Sequence, residues 1–250
     1  MAENSKIEWT DHTFNPWVGC TKISVGPQGA CEQCYAEGWA KRSGHQELWA
    51  GSRRRTTAAN WKQPRKWNAA ANGRTPRVFC ASLADVFDNA VPQEWRLDLF
   101  RLIFQTPDLD WLLLTKRIGN AGEMLPVDWR DGYENVWLGA TIANRPEMLR
   151  DAPKLKATRA RIHFWSVEPM LGDLGDIPLE LLPDWVICGG ESGPRARPME
   201  IEWVMRLREQ CKAAGVAFFM KQGSQANWTD FKDFSQFAPE IRVREFPEAA

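Results

Sequence analysis

Residues 185–191 read Trp-Val-Ile-Cys-Gly-Gly-Glu, so four apolar residues run into two glycines and a carboxylate. An apolar run of this length, with no alternating polar residues, is typical of a strand buried on both faces of a parallel sheet. In such sheets ligands bind at the carboxyl ends of the strands, where polar residues would follow. This stretch therefore predicts a parallel α/β sheet with a binding site at one edge.

The same pattern recurs at fairly regular spacing along the chain. Further apolar runs lie at 78–81, 111–114, 136–139, 162–165 and 216–220, and a short strand is expected within 14–18. Helical patterns separate several runs; for example, Trp203, Leu207 and Cys211 recur at i, i+4 and i+8. The alternation predicts an α/β fold, a partial (βα)6-type parallel barrel wrapped by crossover helices.

Composition limits the class of protein. The 250 residues are 44% hydrophobic and 26% charged with zero formal net charge, which suits a globular chain with a substantial core. We expect one domain over 1–250, with a basic Trp-rich insertion at 48–76 and a short C-terminal extension from about 224. No apolar run reaches the roughly 20 residues that cross a bilayer, so we expect a cytoplasmic protein without a membrane partner.

Charge is unevenly distributed along the chain. Between Leu48 and Ala84 there is no Asp or Glu, whereas eight Lys or Arg residues occur there, with Trp49, Trp61 and Trp67 among them. Cations that alternate with stacking surfaces suit a nucleic-acid backbone with exposed bases. The alternative is a solvated basic loop whose tryptophans pack on the core.

Three cysteines lie close together near the start, at Cys20, Cys31 and Cys34. A reducing compartment disfavours disulfides, and three thiolates can hold a metal centre that keeps one position open. Two centres fit: a structural zinc completed by His12 or His45, and an iron–sulfur cluster held by cysteine alone. The other cysteines, which lie in apolar surroundings and are expected to be buried, are Cys80, Cys188 and Cys211.

Five segments carry a family resemblance. They are 20–37, 135–139 (Asn-Val-Trp-Leu-Gly), 166–169 (Ser-Val-Glu-Pro), 189–199 (Gly-Gly-Glu-Ser-Gly-Pro-Arg-Ala-Arg-Pro-Met) and 218–222 (Phe-Phe-Met-Lys-Gln). In combination they resemble a phage-encoded protein family assigned to the radical S-adenosylmethionine (SAM) superfamily. The superfamily's usual spacing is Cys-x3-Cys-x2-Cys, whereas ten residues separate Cys20 from Cys31 here.

The resemblance implies a partial barrel that binds a 4Fe-4S cluster and S-adenosyl-L-methionine. Cys20, Cys31 and Cys34 would ligate the cluster, and an electron donor such as flavodoxin or ferredoxin would reduce it. The polar residues at strand ends that are candidates to bind S-adenosylmethionine are Ser82, Asp85, Thr141, Asn144 and Glu168. The candidates to bind substrate are Lys116, Gly189, Gly190, Arg195 and Arg197, with Glu191 and Lys221 as catalytic candidates.

The genes that accompany the family hypermodify thymine in phage DNA, so the resemblance implies a DNA or modified-nucleotide substrate in the host cytoplasm. The expected reaction is an isomerisation that moves a glycyl substituent of a modified thymine from a nitrogen to a carbon linkage by hydrogen abstraction. One alternative is another radical SAM enzyme that modifies or repairs bases. An alternative of a different class is a zinc-stapled nucleic-acid-binding protein without catalysis.

Overall fold

The apolar runs of the sequence form the strands of a parallel sheet. In a computed structural model that describes residues 4–248, the strands are β1 (His12–Phe14), β2 (Trp17–Val18), β3 (Arg54–Arg55), β4 (Arg77–Cys80), β5 (Asp110–Thr115), β6 (Val136–Thr141), β7 (Ile162–Val167), β8 (Trp185–Gly189) and β9 (Ala217–Gln222). Seven of them form one sheet in the order β1-β4-β5-β6-β7-β8-β9. The predicted α/β fold, a partial parallel barrel, is confirmed.

Helices connect the strands. They are α1 (Tyr35–Arg42), α2 (Ala58–Trp61), α3 (Gln63–Ala69), α4 (Gln93–Phe104), α5 (Ala121–Met124), α6 (Arg145–Ala157) and α7 (Ile201–Ala213). The long helices α4, α6 and α7 lie between consecutive strands of the sheet, as crossover connections do. In α7 the buried residues Leu207 and Cys211 belong to the predicted apolar face. None of the helices within 4–248 is long and apolar enough to cross a membrane.

The chain divides into two compact units. The first unit comprises 1–23, 34–139 and 158–161, and the second comprises 24–33, 140–157 and 162–250. In the first unit, Phe14 packs edge-on against Trp111 with ring centroids 5.7 Å apart. In the second unit, Trp185 packs between Phe164 and Phe219 at 5.9 and 6.2 Å. Each unit therefore has its own aromatic core beneath its strands.

The strand expected within 14–18 is split in two. β1 pairs with β4 in the main sheet, whereas β2 pairs with β3 in a separate antiparallel ribbon. Pro16 lies between β1 and β2, and its missing N–H cannot extend a ladder. The break redirects the chain just before the first cysteine.

The C-terminal segment packs along the end strand of the sheet. Met220 N donates to the Val243 carbonyl oxygen at 2.8 Å, and Glu245 N donates to that of Phe218 at 2.9 Å. Ile241 is fully buried. These contacts cover an edge of β9 that would otherwise present unpaired backbone groups.

Candidate functional site

A glycine fixes the backbone next to Cys20 in the first unit. Gly19 has a φ of +117°, and a Cβ there would lie 2.7 Å from the carbonyl oxygens of Leu48 and Ser52. Gly19 N donates to the Leu83 carbonyl oxygen at 3.0 Å, and Cys20 N donates to that of Leu48 at 3.1 Å. The backbone around Cys20 is therefore tied to two segments farther along the chain, at Leu48 and Leu83.

Arg117 contacts the side chain of Cys20. Its Nη1 donates to the Cys20 Sγ at 3.5 Å and to the Asp85 Oδ2 at 3.2 Å, and its Nη2 donates to the Thr21 carbonyl oxygen. The Arg117 and Asp85 side chains are each only 7% exposed. A buried ion pair of this kind is screened little by salt.

Asp85 uses both carboxylate oxygens within the protein. Its Oδ1 accepts from Thr115 Oγ1 at 2.7 Å and from Phe87 N at 3.0 Å. Its Oδ2 accepts from Lys116 N at 3.0 Å as well as from Arg117. Asp85, a predicted SAM-binding residue, thus holds the loop after β5, and Lys116, a predicted substrate-binding residue, contributes its backbone N–H to that loop.

The local environment keeps Cys20 protonated. The pKa of the Cys20 thiol is raised to about 11, because burial and the nearby Asp85 carboxylate raise it more than Arg117 lowers it. At neutral pH the free side chain is therefore a thiol, and a metal ion would have to displace its proton. The cysteines expected to be buried, which the structure confirms, are Cys80, Cys188 and Cys211.

Ser82 and Cys34 lie near the start of α1. The Ser82 hydroxyl accepts a hydrogen bond from Asn15 Nδ2 at 2.9 Å, and its carbonyl oxygen accepts one from the Tyr35 hydroxyl. Cys34 is the N-cap of α1, and its side chain makes no capping hydrogen bond. Ser82, a predicted SAM-binding residue, is therefore engaged by neighbouring residues, while the Cys34 thiol does not satisfy the helix end.

The side chain of Arg53, in the basic segment, is buried. It is 2% exposed and pairs with Asp88, with Nε 3.0 Å from Oδ2. Its Nη2 also donates to Thr21 Oγ1 at 2.6 Å. Arg53 therefore supports the residue after Cys20 and is not available to a nucleic-acid phosphate.

Two tryptophans of the basic segment pack within the first unit. Trp67 is buried and stacks on His12 with centroids 4.4 Å apart, and Trp61 packs edge-on against Phe14 beneath the Arg55 guanidinium. At these two positions the structure supports the core-packing alternative over base stacking. The exposed cations of the segment are Arg54, Lys62, Arg65, Lys66 and Arg74.

The second unit holds residues 24–30 of the segment between the first two cysteines. Cys31 N donates to the Ser24 carbonyl oxygen at 2.7 Å, which closes residues 24–31 into a loop. The Ser24 hydroxyl donates to the Glu147 carboxylate at 2.5 Å and accepts from Ala30 N at 3.1 Å. Residues 24–31 are called the cysteine loop below.

Asn144 also binds the cysteine loop. Its Nδ2 donates to the Gln28 carbonyl oxygen at 3.0 Å, and its Oδ1 accepts from Glu147 N at 3.0 Å. Both ends of the amide are therefore occupied. The structure places this predicted SAM-binding residue at the start of α6 as a helix cap and a loop anchor.

Glu191 and Arg197 form a bidentate ion pair. Arg197 N and Nε both donate to Glu191 Oε2 at 2.9 Å, and Arg197 Nη2 donates to Oε1. Arg197 Nη1 donates to the carbonyl oxygens of Pro27 and Gly29 at 2.9 and 3.0 Å. These residues, predicted to be catalytic and substrate-binding respectively, are occupied by each other and by the cysteine loop.

Other predicted residues keep polar groups at the strand ends of the second unit. The Lys221 Nζ lies 2.7 Å from Glu168 Oε1, and Ser166 Oγ donates to Glu168 Oε2 at 3.3 Å. The Thr141 hydroxyl at the end of β6 is buried without a hydrogen-bond partner among residues 4–248. An orphaned buried hydroxyl is costly unless a ligand or water completes it, so Thr141 fits a polar ligand.

The two predicted glycines differ in their surroundings. A Cβ on Gly190 would lie 2.5 Å from the backbone nitrogen of Ser224, so the chain itself requires glycine there. A Cβ on Gly189 would lie 3.1 Å from Glu168 Oε1 and would crowd that carboxylate. Arg195 is exposed. Of the predicted substrate-binding group, Gly189 borders the Glu168–Lys221 pair.

The donor chemistry of the three cysteines suits a metal centre, although residues 4–248 contain no group of three or more His, Cys, Asp or Glu side chains arranged around a metal position. Cys20 and Cys34 belong to the first unit and Cys31 to the second. All three are free thiols. His12, one imidazole considered for zinc, instead stacks on Trp67.

Sequence reasoning missed two residues that hold the cysteine segment. Arg117 was not among the predicted site residues, because its contact with Cys20 joins positions 97 apart. Glu147 follows Asn144 by three residues, the spacing of a helix-capping pair. That signal locates the start of α6 but does not disclose the contact with Ser24.

Comparison with solved structures places the fold among known proteins. A doubly substituted spore photoproduct lyase with bound AdoMet and dinucleoside spore photoproduct is similar, with a TM-score of 0.50 and 12% identity over 91% of this chain and 59% of that one. A spore photoproduct lyase complexed with dinucleoside spore photoproduct gives 0.48 and 13% over 74% and 57%. The present chain thus spans under three fifths of these chains.

No curated protein matches the sequence. A family model does, and it covers residues 4–244, nearly the whole chain. The chain therefore belongs to the family described as "Protein of unknown function (DUF5131)".

Proposed function

We propose that this protein is a radical SAM enzyme that modifies a base in DNA or in a nucleotide. The observation that carries the proposal is a partial parallel barrel whose cysteine-bearing segment is anchored within each unit, by Arg117 at Cys20 and by Arg197 at Pro27 and Gly29. The fold similarity to a lyase structure with bound AdoMet supports the same interpretation.

The free thiols fit a 4Fe-4S cluster, and Cys20, Cys31 and Cys34 would hold it. When bound, the reduced cluster supplies the electron that starts radical chemistry from S-adenosylmethionine. Thr141 would form a hydrogen bond with S-adenosylmethionine through its orphaned hydroxyl. Glu168, while paired with Lys221, would accept a further hydrogen bond from the ribose or amino group of S-adenosylmethionine. A small donor such as flavodoxin or ferredoxin would deliver the electron.

For the reaction, we propose an isomerisation of an amino-acid-modified thymine. Lys221 would bind the carboxylate of a glycyl substituent, because its ammonium lies at a strand end and is partly exposed. Its Glu168 partner would orient it. The protein's residues would bind and orient the substrate and exclude water while the linkage moves from nitrogen to carbon.

A second candidate is a base-repair reaction. The observation that favours it is the similarity to a lyase structure that holds a dinucleoside photoproduct. Both candidates share the proposed cofactor, so they differ in the substrate and in the fate of the abstracted hydrogen.

Isotope transfer tests the isomerase. A glycyl-modified thymine carrying deuterium on the glycyl α-carbon should pass label into S-adenosylmethionine, with many turnovers per SAM molecule, because a rearrangement must return a hydrogen to the product. The Cys20→Ala variant should lose turnover, whereas Cys80→Ala, which changes a buried cysteine outside the motif, should retain it. One methionine and one deoxyadenosine per product, without returned label, would reject the isomerase.

A further inference from the structure

The segment between Cys20 and Cys31 is longer than the superfamily's usual spacing, yet it is held by many contacts. Within the second unit its residues bind three polar side chains, those of Glu147, Asn144 and Arg197. Ala30 also packs in a buried apolar cluster with Ala143 and Leu171. A loop of this length would otherwise be free to move its cysteine.

Arg197 makes contacts that only a guanidinium can make together. One edge of its planar group meets the Glu191 carboxylate, while Nη1 reaches two carbonyl oxygens of the loop, at Pro27 and Gly29. The Arg197 and Glu191 side chains are 17% and 8% exposed, so their hydrogen bonds are largely shielded from water. A lysine could carry the charge but not this fork of donors.

The surroundings fix Arg197 in turn. Its carbonyl oxygen accepts from the Ser224 hydroxyl, and Ser224 packs against Gly190, where no Cβ fits. Glu191 therefore lies next to a tightly packed glycine, and Arg197 is held from its backbone as well as from its side chain. The motif at 189–199 is thereby linked to the loop that ends at Cys31.

We propose that Arg197 and Glu191 are positioning residues that hold the cysteine loop, and hence Cys31, in place before any cofactor binds. The role toward a cluster rests on the proposed function, whereas the role toward the loop does not. On this account Glu191 and Arg197 of the motif at 189–199 hold the cysteine loop in place and do not bind the substrate.

Hydrogen–deuterium exchange on the metal-free full chain tests the proposal. The Arg197→Gln and Glu191→Gln variants should exchange the amides of 24–31 roughly tenfold faster or more, as expected when hydrogen bonds to charged groups are removed. The matched control is Arg195→Gln, two positions away and exposed, which should leave this exchange unchanged. Alkylation of the buried Cys31 should accelerate in the same two variants.

Arg197→Lys distinguishes loss of the loop contacts from general unfolding of the protein. It keeps the charge and loses the fork, so it should give faster exchange at 24–31 while the amides of β7 stay protected. Unchanged exchange at 24–31 in a folded variant would overturn the proposal. After anaerobic iron loading, Arg197→Lys should also retain less iron through gel filtration than the wild-type protein. A wild-type protein that binds no iron would reject the proposed function, while the exchange data would still decide the positioning role.

Discussion

Beside Cys20, the buried side chains of Asp85 and Arg117 form an ion pair, and Arg117 also donates a hydrogen bond to the Cys20 sulfur. Asp85 accepts four hydrogen bonds. The Arg117 guanidinium donates hydrogen bonds to Asp85, to the Cys20 sulfur and to the Thr21 carbonyl oxygen. Residue types and strand-end positions could be predicted from the sequence. Which polar groups bind one another could not, because those contacts join residues that are far apart along the chain.

The Asp85–Arg117 pair should matter more for stability than an exposed pair. Asp85→Asn should lower the free energy of unfolding by about 3–5 kcal/mol, because it leaves a buried guanidinium without its carboxylate. Asp98→Asn removes the carboxylate from solvent-accessible pairs with Arg55 and Arg101 and should cost no more than about 1 kcal/mol for each pair. Urea unfolding of both variants measures the difference, and equal losses would contradict a buried structural role for Asp85.

At the scale of elements, apolar runs predicted the sheet because strands buried on both faces of a parallel sheet are short, nearly continuous runs of apolar residues. The division of the first strand was not predicted, although Pro16 marks it. The basic segment shows the limit of charge patterns, since Arg53 and Arg55 form ion pairs with Asp88 and Asp98. Those acidic partners lie outside the segment, so its composition could not reveal them.

DNA binding by the basic segment is therefore expected from its exposed cations alone. Changing Lys62, Lys66 and Arg74 together to Gln should weaken DNA binding. It should also reduce the slope of log K against log[salt] by about 0.9 for each DNA phosphate that the variant no longer neutralises. The matched triple changes the exposed second-unit cations Lys156, Lys212 and Arg242 to Gln, removing the same charge. Binding measured against salt separates the two, and equal slopes would assign no DNA contact to the segment.

At the scale of the whole molecule, the fold class followed from the sequence, and the DUF5131 match covers nearly the whole chain. The proposed chemistry depends on which metal the three cysteines bind. Neither the hydrophobic periodicity of the sequence nor the fold determines that metal. A zinc-stapled binding protein and a radical enzyme share the same thiols. The identity of the metal decides between them.

Metal analysis after anaerobic reconstitution is the most direct test of this account. The wild-type protein and Cys211→Ala, which changes a buried cysteine of α7, should each bind about four irons as one cluster with broad visible absorbance. Cys20→Ala, Cys31→Ala and Cys34→Ala should each lose the cluster, because two thiolates hold it poorly. One zinc per chain, with no iron-dependent absorbance, would contradict the radical SAM assignment.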